Sequence, residues 1–219
     1  MCAQTIQTGF FDGRYGELDM MLVEQTTVPA LALPVQELKN HLRLGTGFAD
    51  DGLQDGLVES YLRASIATIE GRIGKALIAR DFKWSLENWR NGCEQALPVA
   101  PVLAILEVTL LNSAGAAEVV PITMYRLVAD THRPKLQAAG ILLPQVPMNG
   151  GIEMTFTAGF GPTWSDVPAD LAQAVLMLAA EFYERRHDGG MAANGGLPFA
   201  VVTLIERWRT VRVLGGGAA

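Results

Sequence analysis

Asp166-Val-Pro168-Ala-Asp-Leu171-Ala-Gln-Ala-Val175-Leu-Met-Leu178-Ala-Ala-Glu-Phe182-Tyr183 is the stretch that decides how this chain folds. Asp166 can cap a helix, and Pro168 suits the first turn, where an N–H would have no intrahelical partner anyway. From there Leu171, Val175, Leu178 and Phe182 recur at helical spacing on one stripe. Ala172, Leu176, Ala180 and Tyr183 make the opposite stripe nearly as apolar. A helix apolar nearly all round needs cover on two sides, by its own core and by a neighbouring subunit. Leu176, Ala180 and Tyr183 are therefore the candidate subunit-interface residues.

Before this helix the period is two. Ile152, Met154, Phe156 and Ala158 alternate with polar residues, as do Phe82, Trp84 and Leu86. Ala104, Leu106, Val108 and Leu110 alternate up to the turn Asn112-Ser-Ala-Gly115, and Val119 to Val128 reads as a further strand run. Pro98, Pro101, Pro144 and Pro147 interrupt the connections, which gives a small, mostly antiparallel sheet.

Helical spacing also occupies the first third of the chain. Leu38 and Leu42 follow Pro34, and Asp50 and Asp51 offer caps to a longer helix. That helix carries Leu53, Leu57, Val58, Tyr61, Leu62, Ile66, Ile69 and Ile73 and is expected to end at Gly71 or Gly74. Beyond Pro198, Leu204, Ile205, Trp208 and Val211 form an apolar stripe with Val201, while Arg207, Arg209 and Arg212 point elsewhere, before Gly215-Gly-Gly217. The predicted class is α+β: a helical core of about four helices with an inserted small, mostly antiparallel β subdomain. Its expected segments are an N-terminal arm at 1–32, the first part of the helical core at 33–78 and the β insert at 79–160. The second part of the core with a C-terminal docking segment covers 161–214, and 215–219 is a flexible tail.

Hydrophobic residues make up 49% of the 219 residues and charged ones 18%, against roughly 25% charged in an average globular protein. So few charges coat a monomer thinly, and partners are expected to cover part of the surface. The net charge of -6, with no long basic run, argues against a protein that grips nucleic acid. Cys2 in the arm and Cys93 in a turn form no disulfide framework and suit a reducing compartment. No apolar run approaches the roughly 20 residues needed to span a bilayer, and no leader is visible, so a soluble protein made in the cytosol is expected.

Chemistry-bearing patterns are weak. His41, His132 and His187 sit in no nucleophile motif. Glu184-x-x-His187, with Glu181 one turn earlier, resembles half of a di-iron site, but the second Glu-x-x-His that such sites need is missing. A charged helix end that includes Arg185 and Arg186 explains it better. Gly159-Phe-Gly161 lacks phosphate-loop spacing and reads as a strand-ending turn. The arginines around Trp208 are too few for a nucleic-acid face, and helix-in-groove docking fits them better. Trp208 alone could equally close its own core, so docking rests on the whole segment: Leu204, Ile205, Arg207, Trp208, Arg209, Val211 and Arg212. Neither catalytic residues, a metal nor a cofactor is predicted. The rival readings are a metal- or ligand-binding, enzyme-like module using Glu184 and His187 or the region of Trp84 and Trp89, and a DNA-binding module using the terminal arginines.

Several segments, taken in order, carry a family resemblance. They are Pro34-Val-Gln-Glu37-Leu-Lys-Asn-His41-Leu-Arg43, Asp50-Asp51, Ile69-Glu70-Gly-Arg-Ile-Gly74-Lys-Ala-Leu77-Ile78, and Trp84 with Trp89. Leu97-Pro98-Val-Ala-Pro101-Val102, Met154-Thr-Phe156-Thr-Ala158-Gly159-Phe-Gly161, Val167-Pro168-Ala-Asp-Leu171 through Arg186, and Leu197-Pro198 follow. Across about 33–212 the chain resembles the phage head-tail connector (portal adaptor) family, which includes the adaptor of gene transfer agents. The resemblance implies a structural subunit, not an enzyme, located in the neck of a virion or virus-like particle. It implies a dodecameric ring of copies between the portal protein and a tail-side connector or stopper protein. DNA would pass through the lumen without sequence-specific binding, and segment 198–219 would reach the portal.

Overall fold

The computed structural model describes residues 21–44, 54–185 and 196–209. In chain order they form β1 (Met21–Glu24), α1 (Val35–His41), α2 (Asp55–Ile73), β2 (Arg80–Leu86), β3 (Glu94–Ala96) and β4 (Val102–Leu111). These are followed by β5 (Ala117–Val119), β6 (Tyr125–Val128), β7 (Lys135–Ala138), β8 (Gly151–Ala158), α3 (Ala169–Glu184) and α4 (Phe199–Ile205). The class is α+β, as expected, with α1 and α2 before and α3 and α4 after the run of antiparallel strands β2 to β8, and β1 preceding them all.

The helices meet through the stripes visible in the sequence. Val58, Leu62, Ile66, Ile69 and Ile73 of α2 pack with Leu171, Val175 and Leu178 of α3, Leu38 of α1, and Val201 and Ile205 of α4. All are buried, and each contributes roughly 1.5–3 kcal/mol relative to exposure. α2 passes through Gly71 and ends at Gly74, whose left-handed φ of 68° turns the chain and whose N–H donates to the Glu70 carbonyl at 2.8 Å. The expected caps Asp50 and Asp51 lie outside the described residues, and α2 begins at Asp55, which pairs with the buried Lys39 of α1.

The β part is two sheets. One has five strands in the order β1-β2-β8-β4-β5, the other three in the order β3-β7-β6, and every pairing is antiparallel. Phe82, Trp84 and Leu86 of β2, Ile152, Met154 and Phe156 of β8, and Val108 and Leu110 of β4 fill a second apolar cluster, with Phe82 and Phe156 stacked at 5.8 Å. The single run expected from Val119 to Val128 is corrected here. β5 ends at Val119, Pro121 precedes a 3-10 turn at Ile122–Met124, and β6 begins at Tyr125 in the other sheet. Proline has no N–H for the ladder, so the run breaks where it occurs. Within the arm expected at 1–32, residues 1–20 lie outside the described set, whereas Met21–Glu24 is the edge strand β1 and Ala30–Ala32 a 3-10 turn.

Outgoing and returning chain run side by side between the two clusters. Ala79 N–H donates to the Gly161 carbonyl at 2.8 Å, Phe160 N–H to Leu77 at 3.1 Å, and Gly159 N–H to Pro101 at 2.9 Å. Gly159 has φ 143°, and a Cβ there would overlap the Ala79 backbone, so this crossing requires glycine. Gly159-Phe-Gly161 is thus a strand-ending turn, as its spacing indicated.

Candidate functional site

α4 and the 3-10 turn after it are held down by one carboxylate at the start of α3. The Trp208 indole Nε1 donates to Asp170 Oδ2 at 2.7 Å, and Arg207 Nε lies 2.7 Å from the same oxygen. The Arg207 guanidinium sits 4.9 Å above the Trp208 ring, which Phe160 meets edge-on at 5.4 Å and His132 flanks at 6.2 Å. Trp208 therefore touches the first turn of α3, the chain returning from β8 and the loop between β6 and β7. Charge-assisted bonds of this kind are stronger than neutral ones, although Arg207 is largely exposed and screened.

Of the residues proposed for docking, Ile205 is buried among the helices and Trp208 is half-buried against its own subunit. Leu204 is half-buried, Arg207 is open to solvent on one side, and the exposed Arg209 pairs with Glu206 at 3.1 Å. Val211 and Arg212 lie outside the described residues. Phe199, which no sequence pattern singled out, stands exposed at the head of α4.

The second stripe of α3 is partly covered from within. Ala180 is buried, while Leu176 and Tyr183 are half-buried. The Tyr183 hydroxyl donates to Gln54 Oε1 at 3.1 Å, and its ring meets Tyr61 of α2 edge-on at 6.1 Å. What this stripe can offer a neighbour is the outer part of Leu176 and Tyr183.

Two buried cations lie where helices and sheet meet. Arg80 of β2 holds both carboxylate oxygens of Glu70 on α2 and lies 2.9 Å from Glu24 on β1. Burial would lower its pKa, but the hydrogen bonds and charge of Glu70, then the charge of Glu24, keep it above the ordinary arginine value. Lys75, at 1% exposure, has no hydrogen-bond partner for Nζ among the described residues. Burial pushes its ammonium below the usual lysine range, and only Asp130 pulls the other way. Asp130 itself is held below the usual carboxylate range by the N–H groups of Arg133 and His132.

Residues weighed for catalysis or metal binding do not converge among the described residues. Glu181 pairs with Arg185 at 2.6 Å, Glu184 is exposed, and His187 lies outside the described set. No grouping of three or more His, Cys, Asp or Glu suited to a metal occurs among the described residues. Trp84 faces the sheet core, and the Trp89 Nε1 donates to the Pro144 carbonyl at 2.8 Å. The cleft between β1 and α2 is lined by Glu24, Arg63, Glu70 and Arg80, whose charges are paired with one another or, for Arg63, with Glu59. No described helix is long and apolar enough to cross a membrane.

No family model matches the chain, and no curated protein does. Among solved structures it is similar to a chain in the neck of an empty gene transfer agent particle computed with C6 symmetry, at 56% identity and a TM-score of 0.81. A chain of the virion of a native gene transfer agent particle matches at 55% identity and 0.79, and one in the neck of a native particle computed with C12 symmetry at 51% and 0.77. Each match covers 90% of this chain and 99% of the other.

Proposed function

We propose, since this chain belongs to the head-tail connector (portal adaptor) family that includes neck proteins of gene transfer agents, that its copies close into a ring joining portal to tail. The chain is a structural component of a particle neck. The observation that carries this is 56% identity to a neck chain over 99% of that chain's length. Twelve copies fit the C12 symmetry of the related neck. A closed ring of identical copies needs heterologous contacts, in which one surface of each copy meets a different surface of the next.

Segment 198–219 approaches the portal in this reading. Ile205 and Trp208 fix it to its own subunit, Leu204, Arg207 and Arg209 keep part of their surface open to solvent, and Val211 and Arg212 are carried over from the sequence as further docking candidates. Leu176, Ala180 and Tyr183 stay candidates for a contact between copies, with Ala180 buried enough to act only through its neighbours. A tail-side stopper meets the opposite end. DNA passes through the lumen, and a net charge of -6 keeps phosphate contacts few, so the duplex slides.

Purified full-length chain, alone and mixed with the portal ring, tests this by light scattering and negative-stain imaging. Rings on the portal are the expected result. Monomers that persist and ignore the portal would overturn it. Monomers without the portal alone would not, because binding to a platform can supply the missing stabilisation.

A further inference from the structure

Among the described residues the five-stranded sheet ends in two open apolar margins, and we infer that they are the two halves of the contact between neighbouring copies in the ring. This inference rests on the connector reading and assigns its subunit interface.

At one margin lies β1, four residues long and exposed throughout, with Met21, Leu22 and Val23 at 58%, 40% and 38% exposure. At the other lies β4, whose pairing with β5 covers only Thr109 to Leu111. Its earlier part has no strand on that side among the described residues, and Leu103 and Leu106 stand 49% and 52% exposed. Monomeric proteins blunt such edges with lysine, proline or covering loops. Neither margin carries a lysine; Glu24, the acid of β1, turns to Arg80, and the exposed Glu107 of β4 accepts from the Thr109 hydroxyl, both within their own subunit.

The bulges of β4 supply the second observation. Register shifts fall between Val102 and Ala104 and between Ile105 and Glu107, so Leu103 and Leu106 have no paired residue on β8. A bulge re-aims a side chain out of the alternation of the strand. Here both bulges place a leucine at the open margin, where solvent alone would select a polar residue.

A second copy is the occupant favoured. The two margins belong to one sheet, lie at its opposite ends and are alike in chemistry, so each copy carries both a donor and a receiver. That is the requirement of a heterologous ring, and an unrelated partner would need only one of them. The exposed Phe199 has no such counterpart and is left to other proteins of the neck. The Met21–Val23 margin of one copy packs on Leu103 and Leu106 of the next.

The test uses full-length chain in a Cys2→Ser, Cys93→Ser background carrying Leu22→Cys and Leu106→Cys, treated with a short bismaleimide after assembly on the portal. The expected result is a ladder of covalent oligomers on a denaturing gel, with neither cysteine alone producing it. In parallel, Leu103→Lys with Leu106→Lys should leave the circular dichroism spectrum unchanged and raise the concentration for half-assembly about tenfold or more. Rings that form without giving the ladder overturn this interface and leave the connector reading intact, as does normal assembly of the lysine variant. If the unmodified chain forms no ring on the portal, both readings fall together. Should the lysine variant misfold, the cysteine pair alone carries the decision.

Discussion

Glu70 and Arg80 face each other in a two-point ion pair, with Nη1 to Oε1 at 2.9 Å and Nη2 to Oε2 at 2.7 Å, at side-chain exposures of 11% and 8%. Glu70 Oε1 also accepts the Leu77 N–H at 2.7 Å. The pair therefore clamps the last turn of α2 to the first residue of β2, across the point where the chain passes from the helical cluster to the sheet cluster.

Removing Arg80 leaves the buried Glu70 carboxylate without its cation, and removing Glu70 leaves the buried Arg80 with only the more exposed Glu24. Arg80→Met or Glu70→Leu should each cost about 3–5 kcal/mol in chemical denaturation, whereas the double variant should recover much of that loss. Equal loss in the double variant would show that backbone support for Leu77, and not charge pairing, is what matters.

Lys75 carries its ammonium in a buried position with no hydrogen-bond partner among the described residues. Lys75→Met should stabilise the fold at neutral pH by about 1–3 kcal/mol, the range for relieving an unsatisfied buried polar group. Because burial lowers the folded-state pKa beneath 10.5, the unfolded chain binds the proton more readily. The penalty is full below the folded pKa and fades as pH rises toward 10.5. Denaturation of both proteins from pH 7 upward should show the gap between them narrowing. A constant gap would mean that the ammonium finds compensation in the folded protein.

Trp208→Ala removes the donor to Asp170 and the contacts with Phe160 and His132. It should cost about 2 kcal/mol, less than a fully buried tryptophan would, and should speed proteolysis after 196 while leaving the sheet core protected from hydrogen exchange. Portal binding should weaken with it. Full portal binding by this variant would separate the packing role of Trp208 from docking.

Gly159→Ala should be poorly tolerated, because φ 143° is strained for alanine and the new Cβ meets the Ala79 backbone. A loss of about 2 kcal/mol or more in thermal melts is expected, against a near-neutral result for Gly71→Ala, where a Cβ meets nothing within 4 Å.

Sequence patterns located those elements that repeat over enough residues to declare their period. α2 and α3 showed themselves through stripes of isoleucine, leucine and valine, and β2, β4 and β8 through alternation. The strands β1, β3 and β7, three or four residues each, have no such signal, because they are strands only by virtue of the partner laid beside them. Pro121 did mark the break between β5 and β6, but the apolar residues around it masked that signal.

The candidate surfaces divide along the same line. Residue order along the chain was sufficient for the α+β class, the absence of an evident catalytic motif, and the likeness to connector proteins, since these depend on local spacing and on the succession of motifs. Which apolar residues remain outside the core was settled only by folding. Ala180 and Ile205, apolar and suggestively placed, are turned inward, whereas Leu103 and Leu106, members of an ordinary strand, are left at an open margin by two bulges. Burial depends on residues distant in the chain meeting at one place, and no local pattern records where that meeting leaves a gap.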